Sequence, residues 1–172
     1  MSFIPKTAVE IERKYIIKMP PISVLQKQDG YTSSEITQIY IASPKGETHR
    51  VRRRKYSDVT RYYETRKIRI DSISSTEIEG EITEERFDEL STKMSDGTVP
   101  ILKTRHTFIY MGQLFEIDVY PQWKNTAVME TELNSREERA DIPDFITVIK
   151  EVTGDKTYSN DAMSRAFPPE LL

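Results

Sequence analysis

Residues 9–15 read VEIERKY, so Glu10, Glu12 and Lys14 alternate with Val9, Ile11 and Arg13. In an extended strand that alternation sends two carboxylates and one ammonium to the same face. The pattern returns along the chain. HRVRRRK puts Arg50, Arg52 and Arg54 on one face, YYETRKIRI puts Tyr63, Thr65, Lys67 and Arg69 there, and EIEGEI puts Glu77, Glu79 and Glu81. Further on, Lys103 joins Arg105, Glu116 joins Asp118, and Glu130 joins Glu132. The opposite faces carry Val9 and Ile11, Ile78 and Ile82, and Ile117 and Val119.

An ordinary half-buried sheet also has a charged solvent face. Such faces intersperse the two signs, however, whereas here whole strands are acidic and whole strands basic. A row of like charges repels itself unless something compensates. If the sheet closes with these faces inward, basic rows confront acidic rows across a cavity that takes an anion on one side and divalent cations on the other. Carboxylate oxygens suit Mg²⁺ or Mn²⁺, and guanidinium forks suit phosphate oxygens. The chemistry expected from these residues is therefore the handling of a metal-bound polyphosphate.

The elements that must position them follow from the rest of the sequence. A chain of 172 residues with 37% apolar and 31% charged residues is expected to fold as one domain, 1–172. After VEIERKYIIK, Pro20 and Pro21 end a strand, and a short helix or turn precedes Asp29 and Gly30. ITQIYIAS, ETHRVRRRKY and RYYETRKIRI then make a meander of three strands joined at Pro44–Gly46 and Ser57–Asp58. EIEGEI is a fourth. Thr83 caps a helix with Glu84 and Glu85 in its first turn and Phe87, Leu90 and Met94 on one face. VPILKTRHTFIYM and QLFEIDVYP form strands joined at Met111–Gly112, and AVMETEL forms another. Asp144 is expected to cap a helix over PDFITVIKEVTGD that buries Phe145, Val148, Ile149 and Val152 and stops near Gly154. YSNDAMSRAF adds a short helix. About eight strands with few helices predict an antiparallel sheet, as a sandwich or a closed barrel.

Composition narrows the function. With no cysteine the chain has no disulfide, thiolate nucleophile or zinc-thiolate site, which fits a reducing compartment. MSFIPKTAV lacks a targeting pattern and no run of 18 apolar residues occurs, so a soluble, cytoplasmic protein without membrane contact is expected. A formal net charge of −3 gives no reason to expect a nucleic-acid partner. His49 and His106 have no companions at metal-ligand spacing and read as surface or hydrogen-bonding residues. Trp123 reads as a packing residue, Tyr158–Asn160 as a segment ordered either across one mouth of a closed sheet or in a packed C-terminal turn, and Ser159 has no triad partners.

EIERK also fits the ExExK signature of the CYTH superfamily, the triphosphate tunnel metalloenzymes. The resemblance continues in the family's order through RVRRR, ETRK, EIEGEI, LKTR, FEIDVY, METEL and TGDKTYSN, over roughly positions 9 to 160. It implies an all-β dominated (α+β) fold: a closed eight-stranded antiparallel barrel with a few helices outside, cleaving or rearranging triphosphates with Mg²⁺ or Mn²⁺. By position, Glu10, Glu12, Glu130, Glu132 and Asp118 resemble metal carboxylates, supported by the Glu77, Glu79, Glu81 row. Lys14, Arg50, Arg52, Lys67, Arg69, Lys103 and Arg105 resemble phosphate-side cations, with Glu130, Glu132 and Lys14 implied in catalysis. The sequence departs from the family at Ser74–Thr76, where many members carry an arginine.

The function expected is metal-dependent hydrolysis of inorganic triphosphate or a small organic triphosphate. A class IV-type adenylate cyclase and a non-catalytic polyphosphate or nucleotide binding module are the alternatives; a cyclase needs a base pocket, and no segment supplies one. A lipocalin-like barrel for an apolar ligand conflicts with charged inward faces. A homodimer is left open.

Overall fold

The computed structural model describes residues 5–172; Met1–Ile4, the start of the stretch read above as lacking a targeting pattern, lie outside them. Nine strands run as β1 Lys6–Lys18, β2 Asp29–Ile41, β3 Glu47–Lys55, β4 Thr60–Arg69, β5 Ser74–Ile82, β6 Ile101–Tyr110, β7 Gln113–Val119, β8 Thr126–Glu132 and β9 Val148–Glu151. Three short helices, α1 Ile22–Leu25, α2 Glu84–Ser91 and α3 Asn160–Arg165, complete the elements with a 3₁₀ turn at Lys156–Tyr158.

Eight strands close a barrel in the order β1-β5-β4-β3-β2-β6-β7-β8, with every pair antiparallel. Closure depends on the 13-residue β1. Its Lys6–Ile11 half pairs with β5 and its Glu12–Lys18 half pairs with β8, so the strand carrying Glu10, Glu12 and Lys14 is the seam. A closed sheet has no long free edge.

The helix expected over residues 144–154 is not formed. Val148–Glu151 is the strand β9, laid against β1 at Tyr15–Ile17, and Asp144 caps nothing helical. The physical reason is an open edge: β1 loses β5 as a partner beyond Ile11, and Val148, Lys150 and Glu151 pair with Ile17, Ile16 and Tyr15 there instead. Val148, expected to be buried, is exposed on this outer strand. Gly154 lies in the following turn at φ +75°, where an added Cβ would sit 2.8 Å from the Ser72 carbonyl oxygen, so the close approach of two loops requires glycine there.

Three apolar clusters surround the charged interior. Tyr15, Ile17, Phe108, Phe115 and Ile117 pack outside the barrel under Ala140, Ile142 and Phe145. Phe87 and Leu90 of α2 cover Val51 and Ile82, with Thr83 Oγ1 accepting from the Arg86 amide. Met94, expected on that helical face, falls beyond the helix end and is exposed. The third cluster closes one end of the barrel. Tyr40, Tyr120 and Val128 meet Tyr158, Met163 and Phe167 of the C-terminal segment. Each such buried side chain contributes about 1.5–3 kcal/mol, and this plug leaves the charged rows beside it. Trp123 packs here as expected, its Nε1 donating to the Pro168 carbonyl at 3.0 Å. Among the described residues no helix is long and apolar enough to cross a membrane.

Candidate functional site

The barrel encloses a cavity of about 640 Å³. Strand alternation places Glu10, Glu12 and Lys14 of β1 in its wall, with Glu130 and Glu132 of β8 alongside. Arg50 and Arg52 of β3, Lys67 and Arg69 of β4 and Arg105 of β6 also line it, as do Glu77 and Glu79 of β5. The faces read from the sequence are thus inward faces.

Opposite charges meet throughout. Lys14 Nζ is 3.1 Å from Glu130 Oε1 and donates to the Tyr158 carbonyl at 3.3 Å, which ties the seam to the C-terminal segment. Lys67 Nζ lies 3.2 Å from Glu10 and 3.8 Å from Glu12. Arg52 donates to Glu79 at 3.2 Å, and Arg50 stands 3.9 Å from Glu77. Yet Arg50 Nε and Arg52 Nε are buried donors without an acceptor, which is costly unless a ligand oxygen completes them.

Three expected residues lie off the cavity wall, and a fourth lines it with its head group turned to a loop. Lys103 and Asp118 face inward but lie outside the cavity lining, nearly fully buried and joined at 2.8 Å. Arg105 clamps both Asp118 oxygens, at 2.7 and 2.8 Å, and Lys103 shares one of them, so Asp118 is placed as a buried counter-ion behind the cavity wall. In that pair the Lys103 amine is turned to Asp118 and not to the cavity wall. Glu81 pairs with Arg61 at 3.3 Å, away from the lining. Arg69 lines the cavity but turns its Nη1 to the carbonyls of Asp71 and Ser72. The reverse also occurs. Glu116, which shares the parity of Asp118, lines the cavity and receives Arg105 Nη1 at 2.7 Å, and Tyr40, which no motif singled out, is in the wall. Both histidines are hydrogen-bonded outside it, His49 to Glu64 at 2.8 Å and His106 to Tyr31 at 2.9 Å.

Electrostatics divides the carboxylates. Burial would raise Glu130, but Lys14 and Arg105 hold it down at about 2. Burial pushes Glu132 up to about 7, reinforced by Glu10, Glu116 and Glu12 around it. Glu12 is raised as well, chiefly by the Glu130 charge and then by burial. Burial alone would raise Asp118, yet Arg105 and Lys103 keep it well below the usual carboxylate range. Among the described residues no three carboxylate or imidazole groups stand close enough to hold a metal ion as placed. The donor set itself fits one. Glu10, Glu12, Glu130 and Glu132 offer only oxygen, and the mutual repulsion that raises Glu132 and Glu12 is what a hard divalent cation relieves.

The structure is similar to that of the inorganic triphosphatase NE1496, over 93% of this chain and 97% of the other, at 27% identity and a TM-score of 0.59. The PH1819 protein from Pyrococcus horikoshii OT3 matches over 74% of this chain and 80% of its own, at 20% identity and a TM-score of 0.57. HpAC1 from Hippeastrum, an adenylyl cyclase candidate with a dominant triphosphatase activity, matches over 73% and 80%, at 13% identity and a TM-score of 0.50. The last two likenesses are of fold alone. No protein-family model and no curated protein matches the chain. With its closed eight-stranded antiparallel barrel and its structural match to an inorganic triphosphatase over nearly the whole chain, this chain has the fold of the triphosphate tunnel proteins of the CYTH superfamily.

Proposed function

We propose that the protein hydrolyses a terminal phosphoanhydride bond of inorganic triphosphate or a small organic triphosphate, with Mg²⁺ or Mn²⁺. The observation that carries this reading is the pair of buried, acceptor-less guanidinium N–H groups of Arg50 and Arg52 facing a cluster of mutually repelling glutamates in one cavity. The similarity to an inorganic triphosphatase supports it.

In this reading Arg50, Arg52, Lys67 and Arg105 hold the phosphate oxygens in line, and positioning with charge neutralisation carries the step. Glu10, Glu12, Glu130 and Glu132 would hold the metal, which when bound neutralises charge on the phosphate oxygens and acidifies water. Glu130 and Glu132 orient the attacking water and Glu132 takes up its proton, while Lys14, ion-paired to Glu130, fixes that carboxylate beside the phosphates. Cyclisation of a nucleotide finds less support. Tyr40 is the one aromatic residue in the cavity wall among the described residues, and at 4% exposure it offers no face for a base.

The test is phosphate release from triphosphate, ATP, thiamine triphosphate and longer polyphosphate, with Mg²⁺ or Mn²⁺. Turnover is expected on at least one triphosphate and is expected to vanish on chelation. Undiminished release after exhaustive chelation would refute the metal requirement.

Protonation gives a second expected result. Folding holds a proton on Glu132 between the ordinary carboxyl value of 4.5 and about 7. More protons are then bound in the folded than in the unfolded chain, so stability of the metal-free protein falls as pH rises through that window. Metal binding needs the ionised carboxylate and must expel that proton. Mn²⁺ titrated calorimetrically in buffers of different ionisation enthalpy should release protons at about pH 6 and few at about pH 8.5, with tighter apparent binding at the higher pH. Equal affinity and no proton release at both would place the metal away from Glu132.

A further inference from the structure

Two strand cations of the cavity wall make no ion pair among the described residues: Arg69, whose Nη1 is engaged by loop carbonyls, and Arg54. Arg54 lines the cavity two residues past Arg52 on β3, at the end away from the C-terminal segment. Its Nε donates to the buried Ser34 Oγ at 2.8 Å, and its guanidinium lies over the Tyr56 ring, 5.1 Å from the centroid. The side chain is therefore held in place. Arg50, Arg52, Lys67 and Arg105 each face a carboxylate, whereas Arg54 makes no ion pair among the described residues. A cation fixed by a hydroxyl and an aromatic ring, and left without a counter-ion, is a standing anion site.

Its position decides which anion. Alternate residues of a strand lie about 6.6 Å apart, so Arg50, Arg52 and Arg54 present a row of cations roughly 13 Å long. Inorganic triphosphate, three corner-sharing tetrahedra, is shorter than that row. A triphosphate engaged by Arg50 and Arg52 leaves Arg54 to whatever extends beyond the third phosphate. The rings nearest it, Tyr56 and Tyr63, are already covered by the Arg54 and Arg52 guanidiniums, so a further phosphate matches this end better than a base.

We propose that Arg54 is a specificity-determining residue forming an additional anion subsite, which fits the cavity to linear inorganic phosphate chains of four units or more. This rests on the reading of the cavity as a phosphate-chain site. The full chain would be titrated calorimetrically with inorganic triphosphate and tetraphosphate, without and then with Mn²⁺. The wild type is expected to bind tetraphosphate at least about tenfold more tightly, the worth of one charged hydrogen bond. Arg54→Gln should lose that preference while triphosphate affinity stays within about threefold, and Arg54→Lys, which keeps the charge, should retain part of it. Arg53→Gln, on the exposed outer face, should leave both affinities unchanged. Equal wild-type affinities, or equal weakening of both anions by Arg54→Gln, would overturn the subsite and leave the triphosphate reading standing. Failure of both anions to bind would overturn the two together.

Discussion

Glu130→Gln is expected to lower turnover of triphosphate by about 10²–10⁴-fold, the range for a lost acid–base or water-orienting group. The substitution keeps the shape of the side chain and removes its charge. Lys14 and Arg105 hold Glu130 ionised, at about 2, so at neutral pH the full charge is what is lost. Substrate binding should survive far better. Removing one negative charge lessens repulsion of the anion and frees Lys14, now 3.1 Å from Glu130, to face phosphate. Arg52→Ala should fail in the opposite sense, raising the Michaelis constant because a contact present in ground and transition states is gone. Steady-state kinetics at saturating Mn²⁺ beside calorimetric affinity separates the two. Unchanged turnover in Glu130→Gln would move the water-orienting role elsewhere.

The inward faces were legible because the side-chain period of a strand is two, so a sign-segregated sequence declares which residues share a face. That reasoning reaches direction and stops short of depth. Lys103 and Arg105 have the same parity, yet only Arg105 lines the cavity. The difference arises in register: Arg105 pairs directly across from Asp118 on β7, and this carboxylate, two residues inward of Glu116, captures Lys103 as well. Pairing between distant strands decides such contacts, and a single strand's pattern does not contain it. Arg69 does line the cavity, but its head group is engaged at the rim. At the last position of β4 it meets loop carbonyls instead of the opposite wall.

Residues 145–152 misled through periodicity itself. Phe145, Val148, Ile149 and Val152 have helical spacing, and Gly154 follows where a helix would stop. The competing requirement was the unpaired edge of β1 past Ile11, and backbone hydrogen bonding there outweighed a short amphipathic helix. The Lys14 amide donates to Thr153 Oγ1 and its carbonyl accepts from the Val152 amide, so the end of the misread segment is fastened to the strand that carries the site.

Asp118→Ala is expected to destabilise the fold by about 3–5 kcal/mol, the cost of removing one member of a buried ion pair. Asp118 is 1% exposed and is the shared counter-ion of Lys103 and Arg105, both more than nine-tenths buried. The two cations do not respond alike to its loss. Burial already pushes the Lys103 amine down to about 7 against the pull of Asp118, so without that carboxylate it sheds its proton. Arg105 has no such escape, because a guanidinium does not deprotonate in a protein, and only Glu116 remains to it. For a chain of this size the thermal midpoint should fall by roughly 6–20 °C, and denaturant unfolding gives the free energy directly. Adding Lys103→Met to the variant should recover part of the loss, since it replaces the orphaned amine with an apolar chain of similar volume. A loss below about 1 kcal/mol in Asp118→Ala, or a double variant less stable than the single one, would mean that water reaches this group and that the pair is no buried strut.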